Sequence, residues 1–62
     1  MTVYTVLRIS EHGNVKVVAV CADYGVAKSY VPHYDDAYHD AYVSTFVCEN
    51  ADYQVVTTEL QY

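Results

Sequence analysis

Two β-prone segments joined by a short turn, residues 3–9 and 15–21, are apolar on both faces, and this constrains the fold more than any other feature. Val3, Leu7 and Ile9 fall on one side of the first segment, and Tyr4 and Val6 fall on the other. In the second, Val15, Val17 and Ala19 oppose Val18 and Val20. Between them Glu11-His12-Gly13-Asn14 supplies turn chemistry, with Gly13 and Asn14 both tolerant of positive φ. A β-hairpin with two apolar faces must be covered twice, because side chains alternate across a sheet. Elements of the same chain can cover one face of so small a sheet, and a second copy is the expected cover for the other. A homodimer is therefore expected.

After the hairpin, Asp23 is a good N-cap for a helix over 24–31, weakened by Gly25 and ended by Pro32. The next stretch carries Tyr34, Ala37, Tyr38, Ala41 and Tyr42 at i, i+3, i+4, i+7 and i+8, an apolar helical stripe. Asp35, Asp36, His39 and Asp40 take the opposite side. The spacing predicts a second helix with phenol rings toward a sheet and carboxylates toward water. Residues 43–48 are β-prone, Glu49-Asn50-Ala51-Asp52 reads as a turn, and residues 53–60 read as a strand. The expected fold class is α+β in the order β-β-α-α-β-β. It is an antiparallel sheet of three to four strands with one or two short helices packed on one face, all within a single domain spanning 1–62.

Sixty-two residues allow only a thin core, because a domain of this size buries about 60% of its unfolded surface. Eight tyrosines against one phenylalanine and no tryptophan suit a thin core or an interface, since each tyrosine keeps a polar tip. Nothing approaches the roughly 20 apolar residues of a membrane span, and the start lacks the pattern of a secretory signal. A cytoplasmic setting is expected, with Cys21 and Cys48 as buried reduced thiols in strands. Charge divides sharply along the chain. Residues 1–31 balance to +1, whereas residues 32–62 carry six carboxylates and no lysine or arginine, which repels nucleic acid and anionic membranes.

The frame Val3-Tyr4-x-Val6, then Val17-Val18-Ala19-Val20-Cys21, then Ala27 four residues past Asp23, closes on Tyr53-x-Val55-x-x-x-Glu59-Leu60. It resembles a class of short uncharacterised phage and bacterial proteins with a hairpin, a helix carrying an alanine and a final strand ending in Glu-Leu. The resemblance covers about half the chain. The stretch from Pro32 to Asn50 departs from it, and it implies a fold frame without an activity.

No motif for catalysis is present. Ser10, Ser29, Ser44 and the cysteines lie in no nucleophile elbow, and His12, His33 and His39 lie in no triad spacing. Gly13 and Gly25 are the only glycines, so no phosphate-cradling loop can form. Pairs such as Asp35 with His39 and Asp36 with Asp40 would be neighbours on a helix, yet no third metal ligand has a defined spacing. Neither an enzyme, a cofactor nor a metal is expected. The functional expectation is a small acidic protein-interaction module of phage type, an anti-CRISPR-like inhibitor that blocks a basic, nucleic-acid-handling host or defence protein. Asp35, Asp36 and Asp40 on the helix, with Glu49, Asp52 or Glu59 nearby, would present a DNA-mimic array, and Tyr34 and Tyr38 would add contacts at its rim. The alternatives are an assembly protein acting through homo-oligomerisation and a small-ligand or metal sensor.

Overall fold

The structure, a computed structural model, describes residues 1–61. Its elements are β1 (Thr2–Ser10), β2 (Val15–Cys21), α1 (Tyr24–Ser29), β3 (Asp35–His39), β4 (Val43–Val47) and β5 (Ala51–Glu59). All five strands join one antiparallel sheet in the order β2-β1-β5-β4-β3. Strands make up 57% of the chain and helix 10%, so the expected α+β class, a sheet of three to four strands in the order β-β-α-α-β-β, is overturned. The molecule is a five-stranded sheet carrying one short helix.

The first hairpin forms where the alternation placed it. Ser10 N donates to Asn14 O at 2.9 Å and Gly13 N to Ser10 O at 2.9 Å, with Gly13 taking positive φ, at 85°. The helix begins where its cap predicts: Asp23 Oδ1 accepts from Val26 N at 3.1 Å. It stops at Ser29, two residues short of the expected end. A Cβ at Gly25 would lie 3.1 Å from Asp23 Oδ1, so the glycine that weakens the helix also leaves its cap room.

The largest correction concerns residues 34–42. The expected acidic helix does not exist; residues 35–39 are strand β3, paired to β4, and every one of them is exposed. Asp40 turns the chain back. Its Oδ1 accepts from Tyr42 N at 2.7 Å and Val43 N at 2.6 Å, while Asp40 N donates to Val43 O at 2.9 Å. An aspartate that binds the backbone two and three residues ahead favours a turn over continued helix. These two donors hold the Asp40 carboxyl below its ordinary value of 3.8. A depressed folded pKa contributes stability above the unfolded value, and that stability is lost as pH falls through the folded one. Thermal unfolding followed from pH 7 down to about pH 2 should therefore show an acid limb. Asp40→Asn, which keeps the acceptor and removes the titration, should flatten it.

One face of the sheet carries the core. Val6, Phe46 and Val55 are fully buried, and Ala27 and Val31 press on them from α1 and the segment after it. Tyr4, Ala19, Cys21 and Tyr53 pack around this centre. Phe46 sits under an aromatic lid, with Tyr34 edge-on at 4.7 Å between ring centroids and His39 edge-on at 5.6 Å. The Lys28 ammonium lies 5.3 Å from the Tyr34 ring centre and 5.9 Å from that of Phe46, within cation–π range of both. The ends of the chain close the sheet: the Met1 ammonium donates to Leu60 O at 3.1 Å and Leu60 N to Met1 O at 2.7 Å. The Thr2 hydroxyl also hydrogen-bonds the Glu59 carboxylate.

Candidate functional site

Strand register decides where each predicted site residue goes. Two bulges matter. Val18 is the extra residue of β2 between the pairs Val6↔Ala19 and Leu7↔Val17, and Ala37 is the extra residue of β3 between Asp36↔Phe46 and Tyr38↔Thr45. Residues opposite one another share a face, so Asp36 lies on the helix-covered face with Phe46, while Asp35 and Tyr38 lie on the other. Asp52 is on that second face too, through Val47. The expected partition, with carboxylates on one side and rings on the other, is thus replaced by alternation. Tyr34 is half-buried against Phe46, but Tyr38 and Tyr42 are exposed.

The same register gathers charge at one end of the sheet. Ser10 pairs with Ala51, Ile9 with Val15 and Asp52, and Val47 with Asp35 and Asp52. Asp35, Asp36 and Asp52 therefore share an end with Glu11 and Glu49 in the adjoining turns, and Arg8 and Lys16 lie close to it. Asp40 is at the opposite end, as are Asp23 and Glu59. So four of the predicted residues, Asp35, Asp36, Glu49 and Asp52, come together with Tyr34 beside them and Tyr38 in the next row on the face of Asp35 and Asp52, and Asp40 does not. Glu11 joins the group across the sheet, a neighbour that only strand pairing reveals.

Two features at the surface were not legible as sites in the sequence. The first is a row of side chains on the β3–β4 hairpin. Asp36 Oδ2 lies 3.4 Å from His39 Nε2, His39 Nδ1 lies 3.0 Å from Ser44 Oγ, and Tyr24 OH donates to Ser44 Oγ at 3.4 Å. Asp36 and His39 would fall on opposite faces of a regular strand; the Ala37 bulge turns them to the same one. Nucleophile, base and orienting carboxylate are thus in sequence. His39 and Ser44 are, however, directly opposed across the hairpin, so ordinary pairing explains their contact. Their row is half-exposed, and acyl transfer needs a pocket with aimed oxyanion donors.

The second is a shallow cavity of about 270 Å³ at the acidic end, lined by Arg8, His33, Cys48, Glu49, Asn50 and Tyr53 among others. Burial, with the Asp52 charge second, pushes the Cys48 thiol above its usual value and leaves it a poor nucleophile. Both cysteines are free and half-buried rather than fully buried, Cys21 in β2 and Cys48 just past β4, at opposite ends of the sheet. Among the described residues no group of three His, Cys, Asp or Glu side chains is placed to hold a metal, and no helix is long and apolar enough to cross a membrane. No family model, curated protein or solved structure matches the chain.

Proposed function

We propose that the protein is a non-enzymatic, acidic interaction module that binds a basic protein surface through the charged end of its sheet and blocks it. The observation that supports this reading is the convergence of Glu11, Asp35, Asp36, Glu49 and Asp52 from two turns and two strands on one end of a chain of net charge −5. Carboxylates held on paired strands keep fixed spacings, about 5 Å between neighbouring strands. A rigid array of that kind complements arginine and lysine more effectively than carboxylates on a flexible tail, because its side chains lose less freedom on binding. A nucleic-acid-handling protein of a host or its defence system, met in the cytoplasm, is the partner class with the required basic groove. The helical array first expected plays no part in this.

The test is affinity capture from a bacterial lysate on immobilised protein, wild type beside an Asp35→Asn, Glu49→Gln, Asp52→Asn triple variant. All three positions are exposed, so the variant should fold. Basic proteins should bind the wild type at low ionic strength, elute as salt rises through about 0.15 M, and pass over the triple variant. Capture of the same proteins by both would remove the acidic end from the interaction.

A further inference from the structure

Among the described residues, α1 and the segment after it cover one face of the sheet, and the composition of the other face says what fits there. Alternation from the register puts Val3, Thr5, Leu7 and Ile9 of β1 on it, with Val15, Val17 and Val20 of β2. Val43, Thr45 and Val47 of β4 and Gln54, Val56 and Thr58 of β5 complete it. Of the eleven charged side chains in the sequence, only Asp35 and Asp52 stand on this face, both at its acidic end. Arg8, Lys16, Asp36 and Glu59 point to the helix side, and the rest lie in α1, its cap or the turns. Val15, Val17 and Val20 are 62%, 58% and 62% exposed. The described chain exposes 4316 Å², against about 4,000 Å² for a compact monomer of 7.0 kDa.

We propose that this face is the contact between two copies of the chain, stacked sheet on sheet with their strand ends reversed. Charge selects a second copy as the occupant. A chain of net charge −5 repels its own kind everywhere except across a neutral surface, and this is the large neutral surface. Charge also selects the alignment. A two-fold axis parallel to the strands would hold the ends bearing Asp35 and Asp52 together. An axis perpendicular to the strands reverses them, so that the carboxylate end of each copy meets the uncharged end of the other, where Val3, Thr5 and Thr58 stand. Valine and threonine ridges interdigitate in such aligned packings, with sheets about 10 Å apart.

Area sets the strength. Five strands about 4.8 Å apart and some seven residues long cover roughly 550 Å² per copy in projection. Both copies together lose roughly 1,100 Å², just below the 1,200–2,000 Å² of stable specific interfaces. An area of that size suits a reversible dimer and not an obligate one. It stands on a different face from the partner-binding end, and salt separates the two. Raising ionic strength should weaken capture of a basic partner and strengthen the dimer, because only the repulsion between copies is screened.

Sedimentation equilibrium of the full chain, from about 10 μM to 1 mM, tests this. A monomer–dimer equilibrium is expected, tighter at high salt. Val17→Lys should raise its dissociation constant at least tenfold, and Val26→Lys, on the exposed side of α1 at 52%, should leave it unchanged. Should Val17→Lys fail to fold by circular dichroism, Val17→Thr keeps shape and strand preference and should still weaken the dimer severalfold. A monomer at about 1 mM, an assembly larger than a dimer, or a dimer indifferent to every change at Val17 would overturn the proposal.

Discussion

Phe46→Ala is expected to leave most of the chain unfolded at 25 °C. Phe46 is fully buried, and among the described residues it is the largest side chain that is, ahead of Val6 and Val55. Removing a buried phenylalanine ring costs about 3–5 kcal/mol, as lost transfer energy and as the cavity left behind. Domains hold about 0.05–0.15 kcal/mol per residue, which for a chain this short is about 3–9 kcal/mol in all. One side chain therefore accounts for a large part of the total. The ring also organises its neighbours. Tyr34 and His39 stand edge-on to it, and Lys28 lies above it and Tyr34, so its loss frees the segment between α1 and β3 as well. Urea unfolding followed by circular dichroism should show no folded baseline for the alanine variant. Phe46→Leu should fold, at a cost of about 1–2 kcal/mol. An alanine variant with a midpoint near that of the wild type would place the centre of the core elsewhere.

The elements that sequence revealed are those whose local and tertiary preferences agree. Residues 3–9 and 15–21 alternate, are β-branched, and flank a glycine that takes positive φ, so the strands and turn of the first hairpin were legible. The bulge at Val18 was not, and it puts Val20 on the face of Val15 and Val17 and turns Ala19 to the other. Asp23 announced its helix, and residues 43–48 and 53–60 announced a second hairpin that forms as β4 and β5. Residues 34–42 show the opposite. Tyr34, Ala37, Tyr38, Ala41 and Tyr42 keep a helical period, yet the segment is short for a helix whose nucleation is costly, and aspartate, tyrosine and histidine are middling helix formers. Against that weak preference stands β4, with an open edge and a β-branched sequence, and Asp40, whose side chain takes the backbone donors of Tyr42 and Val43. Pairing wins. The bulge at Ala37 then makes the strand's own alternation irregular, which hid both its period and the Asp36–His39–Ser44 row. The candidate site divides in the same way. Acidity of the second half was evident from composition, but which carboxylates meet depends on register between strands more than forty residues apart in sequence, as for Ile9 and Asp52.

That long-range pairing carries the largest effect expected of any change. The strand order β2-β1-β5-β4-β3 places β5 between the hairpin of β1 with β2 and the hairpin of β3 with β4, and it pairs with both. A chain ending at Asn50 loses Ala51 and Val55 from the core and leaves the inner edges of β1 and β4 unpaired. What remains is two hairpins and a six-residue helix. Single two-stranded hairpins are marginal in water, and so short a helix does not hold by itself. The truncated chain should therefore lose the whole stability of the domain, about 3–9 kcal/mol, and give the circular dichroism and narrow proton shifts of an unfolded polypeptide. Adding a synthetic peptide of residues 51–61 should restore the sheet, because the missing strand meets two waiting edges and completes the core. A truncated chain that still melts cooperatively without the peptide would mean that one hairpin with α1 folds alone, and that β5 docks on a formed domain instead of creating it. Because β1 and β5 close the longest loops in the chain, the intact protein should also refold on the millisecond-to-second scale of sheet proteins with distant pairings, slower than helical domains of its size.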